Sequence, residues 1–178
     1  MTTSTPSLLQ IELKQSRPFA VGDEAQLAVQ RTSEVLLRGM AELLRGYGLT
    51  PTQYNVLRIL RGAGAEGLPC AEVGARMVNH EPDVSRLLDR LHRMGLIVRE
   101  RAASDRRVVL TRITPEGLAL LARLDGPTTE LGRRRLEGFS DEELRTLVAL
   151  LEKMRRGALA VCAADLAATA DAPASPAA

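Results

Sequence analysis

Apolar positions recur with a helical period over most of this chain, and the interruptions divide it into a short series of elements. Residues 1–22 show no sustained period and contain Pro6 and Pro18, which predicts a poorly ordered arm. From about residue 23, Leu36, Met40, Leu43 and Tyr47 recur at three- and four-residue steps, and Leu37 and Leu44 widen the stripe. Gly46 and Gly48 end the run, so the pattern predicts a helix of roughly six turns. In Thr50-Pro51-Thr52-Gln53, Thr50 is a cap, Pro51 suits the first helical position and Gln53 completes a capping box. The helix it opens should bury Tyr54, Leu57, Ile59 and Leu60 before Gly62 and Gly64.

A short helix over about 70–77 follows, broken at Val78-Asn79-His80, and Pro82 restarts helix at its first turn. Val84, Leu87, Leu88, Leu91 and Met94 then fall at steps of 0, 3, 4, 7 and 10, with Gly95 placed to end the helix. Residues 96–101 and 108–113 read as the strands of a hairpin joined by a polar turn. Thr114-Pro115 opens another helix with Leu118, Leu121 and Leu124 on one side, which Gly126-Pro127 should kink or interrupt. Ser140-Asp141-Glu142-Glu143 is a capping box for a last helix, in which Leu144, Leu147, Val148, Leu151 and Met154 repeat the spacing seen from Val84. The Ala-rich residues from about 163 onward predict a disordered tail.

The resulting fold class is mainly α with a small two-stranded β-wing. A winged helix-turn-helix lobe over 49–114 lies between long helices at 23–48 and 115–160, with an arm at 1–22 and a tail at 161–178 outside it. Short helix, turn and second helix form the unit that sets a recognition helix into a DNA major groove, and the hairpin after it is a wing. The flanking helices carry apolar stripes too broad for one small lobe to cover, so they should pair across a two-fold axis as a homodimer. That symmetry implies double-stranded DNA with a pseudo-palindromic operator.

Charge distribution supports duplex DNA as the partner. The 178 residues have a net charge of only +2, yet the segment 76–112 holds nine Arg against five Asp or Glu, a local balance of +4. Two Phe, two Tyr and no Trp leave little aromatic surface for stacking single-stranded bases. The candidate DNA-binding residues are Asn79 and His80 in the turn, Asp83, Ser85, Arg86, Arg90 and Arg93 on the second helix, and Asp105, Arg106 and Arg107 at the wing tip. Arginine donates bidentately to guanine, serine meets a base edge or a phosphate, and a helix N-terminus favours phosphate. At the wing, Asp105 is expected to hold Arg107 by a charge-assisted hydrogen bond, with Arg106 adding a phosphate contact.

The stretch 49–124 resembles the multiple-antibiotic-resistance regulator (MarR) family. GLTPTQYNVLRIL is similar to the family's second helix, and EPDVSRLLDRLHRMGLIVRERAASDRRVVLTRITPEG to its recognition helix, wing and wing exit. The Asp-x-Arg wing signature corresponds to Asp105 and Arg107, and the similarity extends over about 24–158. The resemblance implies a dimeric transcriptional regulator, a repressor whose DNA affinity is modulated by a small, often aromatic or anionic, ligand held between the dimer helices and the DNA-binding lobe. Where the family often has Glu-Leu-Ala in the short helix, this chain has Glu72-Val73-Gly74, and glycine weakens a helix by roughly 1 kcal/mol relative to alanine.

Other chemistry finds little support. His80 and His92 are the only histidines, and no Cys, Asp or Glu cluster at ligand spacing joins them, so neither a metal nor another cofactor is expected. Regulators similar to this family that sense oxidants carry the reactive thiol in the first helix, which here has none, so Cys70 is expected to be structural. No motif for nucleophilic or paired-carboxylate catalysis is present, which argues against an enzyme. With two widely separated cysteines, no signal-peptide pattern and no apolar run of about eighteen residues, the expected location is the cytoplasm, away from any membrane. The competing expectation is a winged-helix module for protein–protein contact, which would not require the basic balance of 76–112.

Overall fold

The computed structural model describes residues 6–79, 81–101, 105 and 107–170, with side chains as far as residue 162. Helix boundaries follow the capping chemistry. Thr50 accepts from the Gln53 amide at 3.2 Å while the Gln53 carboxamide accepts from the Thr50 amide at 2.9 Å, which starts α3 (Pro51–Ala63) after α2 (Val21–Arg45). A 3-10 turn at Gly64–Glu66 leads to β1 (Leu68–Pro69), α4 (Cys70–Ala75) and α5 (Val84–Arg93). Then come β2 (Ile97–Arg101), β3 (Val109–Ile113), α6 (Pro115–Arg135) and α7 (Asp141–Ala170).

A helix also lies where the arm was expected: α1 (Leu8–Glu12) has its own capping box between Ser7 and Gln10, buries Leu9, and ties to α2 through Glu12 and Arg31 at 3.0 Å. Five residues are too few for a periodic signal. The wing sheet has three strands in the order β1-β3-β2, not two, because Leu68 and Pro69 pair with Thr111 and Leu110. Pro127 lies inside α6 without ending it. Proline removes the amide that would bond the carbonyl four residues back, that of Arg123, and just after it the Thr128 hydroxyl donates to the Leu124 carbonyl at 2.8 Å. The stripe α6 buries is Gly117, Leu120, Leu121 and Leu124, with Leu118 exposed. Helix α7 continues to Ala170, past the point at which a tail was expected.

The core joins the end of α2 (Leu44), α3 (Val56, Leu57, Leu60), α4 (Val73), α5 (Leu87, Leu88, Leu91), β2 (Ile97) and α6. At the end of α5, Gly95 takes φ +72°, a left-handed conformation that suits glycine. The Leu96 and Gly95 amides turn back onto the Leu91 and His92 carbonyls at 3.1 and 2.9 Å, closing a Schellman motif that aims the chain into β2. Thr114 then bridges elements: its hydroxyl donates to the Gly95 carbonyl at 2.8 Å and accepts from the Gly117 amide at 3.1 Å, so α6 begins against the end of the recognition unit. Compact packing divides the chain within α6, between Leu131 and Gly132. The later unit contains the start of α7, where Ser140 and Glu143 form the expected capping box. The Ser140 amide first and its hydroxyl second hold the Glu143 carboxyl below the ordinary range, outweighing a smaller opposing effect of desolvation.

Candidate nucleic-acid interface

The helix-turn-helix is fixed from both sides. Helix α4 buries Val73, and a Cβ added at Gly74 would lie 3.2 Å from Val84 Cγ2, so the glycine that costs helix propensity also lets α4 approach the start of α5 closely. The turn after α4 is held by α3, where the Asn55 side-chain oxygen accepts from the Val78 amide at 3.0 Å. Asn79 is exposed next to it, and His80 lies outside the described residues.

Helix α5 begins at Val84, two residues later than Pro82 suggested, because Asp83 is its N-cap. The Asp83 carboxylate accepts from the Arg86 amide at 2.9 Å and pairs with the Arg86 guanidinium at 3.5 Å. Its charge therefore occupies the helix N-terminus, which removes both Asp83 as a free DNA contact and that terminus as an open phosphate site.

Beyond the cap, the polar face of α5 separates into two stripes at four- and three-residue steps. Ser85, Asp89 and His92 are all engaged. Ser85 Oγ shares a hydrogen bond with Cys70 Sγ at 3.6 Å, Asp89 accepts from the Arg99 guanidinium of β2, and His92 Nδ1 donates to the Ile97 carbonyl at 3.0 Å. Arg86, Arg90 and Arg93 form the other stripe. All three are exposed, and among the described residues no carboxylate beyond that of Asp83 pairs with them. Two further arginines of the basic segment have partners within the chain. Arg76 pairs with Glu72 at 2.7 Å, while Arg112 donates to Glu100 at 2.8 Å and to the Ala65 carbonyl at 2.6 Å. The positive charge of 76–112 is thus concentrated on the outer stripe of α5 and the wing.

At the wing tip the expected side-chain brace takes another form. Asp105 Oδ1 accepts from the Arg107 backbone amide at 2.9 Å, and the Asp105 carbonyl accepts from the Val108 amide at 3.0 Å. The Arg107 Nε is 3.8 Å from the carboxylate, beyond hydrogen-bond reach, and that side chain is 95% exposed. Asp105 thus shapes the turn through the Arg107 amide, with the Arg107 guanidinium at ion-pair rather than hydrogen-bond distance. Arg106 lies outside the described residues. Sequence reasoning missed Asn55 and Arg112 and counted Arg99 only as part of the positive charge, because their partners come from other elements. Among the described residues no cluster of His, Cys, Asp or Glu is arranged to hold a metal ion, and no helix is long and apolar enough to cross a membrane.

This geometry has known counterparts. The sequence profile of the MarR family matches residues 47–108. PecS, an HTH-type transcriptional regulator of Dickeya dadantii, is 34% identical over 130 residues, covering 72% of this chain and 78% of PecS. Among solved structures, the S. aureus MepR–DNA complex superposes with TM-score 0.67 at 24% identity, over 79% of this chain and 99% of MepR. Bordetella bronchiseptica BpsR, whose DNA binding is regulated by 6-hydroxynicotinic acid, gives TM-score 0.68 at 23% identity, over 78% and 98%. At these identities the two structures speak for the fold, and the match to PecS for descent. The chain belongs to the MarR family, as a winged helix-turn-helix transcription regulator and not an enzyme.

Proposed function

We propose that this regulator represses transcription by binding a pseudo-palindromic operator as a homodimer in the cytoplasm, with α5 in the major groove and the wing tip along the adjacent backbone. The observation that carries this reading is the unequal treatment of the two polar stripes of α5. One is tied into the lobe, and the other presents Arg86, Arg90 and Arg93 outward. Arg86, nearest the helix N-terminus, is assigned to a base edge, while Arg90 and Arg93 are assigned to phosphates. Asn79, His80, Arg106 and Arg107 extend the contact along the backbone, and Ser85, behind Arg86, is a secondary contact. The segments 23–48 and 115–160 supply the dimer helices, consistent with the exposed Val35 and Leu37 of α2 and Leu147, Val148 and Leu150 of α7. MepR was solved on DNA and BpsR responds to a small aromatic acid, which supports a DNA-bound state here that a ligand of that kind weakens.

Fragments of the source genome selected by the purified protein give the operator. On it, Arg86→Ala should lose about 1–3 kcal/mol and relax the ranking of operator variants. Arg90→Ala and Arg93→Ala should weaken all variants alike and each lower the salt slope by about 0.9. An unchanged ranking with Arg86→Ala moves Arg86 to the backbone, and failure to select any fragment favours the protein–protein module instead.

A further inference from the structure

We infer that Asp89 and Arg99 are a positioning pair that locks the wing to the recognition helix, so that both reading elements meet DNA as one body; this rests on the DNA-binding function proposed above. Arg99 is one of the arginines that give 76–112 its positive balance, and it would ordinarily be counted as a phosphate contact. Its surroundings assign it otherwise. The Arg99 side chain is only 26% exposed, against 95% for Arg107 on the same wing. Its Nε is buried without a hydrogen-bond partner, and directly across the ladder Thr111 is fully buried with its Oγ1 equally unpartnered. The arginine stem therefore lies inside the seam between sheet and helix, and among the described residues its charged partner is Asp89.

Asp89 occupies the middle of the tied stripe of α5, between Ser85 and His92. Cys70 and the Ile97 carbonyl fix the two ends of that stripe to α4 and to the start of β2, and the Asp89–Arg99 pair alone among these three bonds reaches a side chain of the wing. Its place near the wing's base gives it leverage. The six steps along the chain from Arg99 to Asp105 would span at most about 20 Å, so an angular freedom of about 10° at Arg99 would sweep the tip through up to about 3–4 Å. That is longer than a hydrogen bond and enough to lose a backbone contact. An exposed ion pair contributes little to stability. Its effect here lies in what it spares on binding, because an untied wing must be ordered against DNA at that moment.

The two accounts of Asp89 differ in sign. If it were only an acidic group near DNA, neutralising it would tighten binding. As half of a positioning pair, its neutralisation weakens binding. The test uses the full chain and a fragment recovered by wild-type selection, titrated at several salt concentrations. Asp89→Asn and Arg99→Gln should each weaken binding roughly three- to tenfold with the wild-type salt slope, and the double variant should be no weaker than the worse single one. Exchanging the charges, Asp89→Arg with Arg99→Asp, should recover most of the loss. In Asp89→Asn, guanine N7 protection in the major groove should persist while backbone protection by the wing fades.

Tighter binding by Asp89→Asn, additive losses, or a salt slope reduced by about 0.9 in Arg99→Gln would overturn the pairing and return Arg99 to the phosphates. Asp89 is 56% exposed, so Asp89→Asn keeps the fold and decides by its sign even if Arg99→Gln does not fold. A wild-type chain that selects no fragment overturns the DNA reading and this inference together, whereas variants that all bind the selected fragment like wild type overturn the pair alone.

Discussion

Helices α5 and α7 carry the same apolar spacing and meet opposite fates. Val84, Leu87, Leu88, Leu91 and Met94 fall at the steps of Leu144, Leu147, Val148, Leu151 and Met154. In α5 the middle of that stripe is gone from solvent, with Leu88 and Leu91 at 0% exposure. In α7 the equivalent Val148 is 55% exposed, and Leu147 and Leu150 are open beside it. A helical period shows that a face needs cover; it does not show what provides it. For α5 the cover is α3, α4, the sheet and α6 of the same chain. On the homodimer proposed above, the cover for α7 is a second copy of the chain.

The comparison breaks most visibly at Leu88. Leu88→Ala empties a fully buried site among well-packed neighbours and should cost about 3–5 kcal/mol, read as a lower denaturant midpoint with unchanged slope. Val148→Ala, at the matching step of α7, should change the stability of the winged lobe by less than about 1 kcal/mol. Equal losses at the two positions would mean that α7 is covered within its own chain.

The next effect is on assembly. Val148→Glu puts a charge into the α7 stripe and should convert a particle of twice the 19.3 kDa chain mass into one of the chain mass, while the far-ultraviolet spectrum of the lobe is retained. Light scattering at micromolar concentration decides it, and an undiminished mass would remove this stripe from the interface.

What could be read from the sequence follows the same division. Elements with local signals were legible: the Thr50–Gln53 box, the stripe of α5, the stop at Gly95, the start at Thr114 and the Ser140–Glu143 box are each encoded within a few residues. Helix α1 was also encoded, in Ser7 and Gln10, but at five residues it offered no period to notice. Strand β1 was not legible, because two residues become a strand only by pairing with β3 more than forty positions later. For the same reason the candidate interface was right in its elements and incomplete in its assignments. Which flank of α5 is tied depends on Cys70, Arg99 and Ile97, none of them on α5. Asp105 was expected to brace the Arg107 guanidinium; it lies at ion-pair distance from it and also takes the Arg107 amide, because a carboxylate two residues before an amide readily finds the backbone.

The smallest expected effect sharpens the comparison at the helix starts. At α7 the Glu143 carboxylate accepts from the Ser140 amide at 2.7 Å and from the Ser140 hydroxyl at 2.8 Å, and these bonds lower its pKa, the amide first and the hydroxyl second. The group is fully exposed, so the effect concerns fraying of the first turn rather than the stability of the chain. A depressed carboxyl pKa means that the stabilisation is present above the unfolded value, about 4.3, and is lost as pH falls through the folded value below it. Amide exchange in the first turn of α7 should therefore be slower in the wild type than in Glu143→Gln at neutral pH, after correction for intrinsic rates. The two should converge as pH falls through the lowered folded value, where protonation makes the glutamate as neutral as the glutamine. Exchange at the start of α5, capped by Asp83 and covered by its own core, should be unaffected by the substitution at every pH. A difference between the two proteins that persists undiminished in acid would mean that the Glu143 side chain orders the turn by its shape and not by its charge.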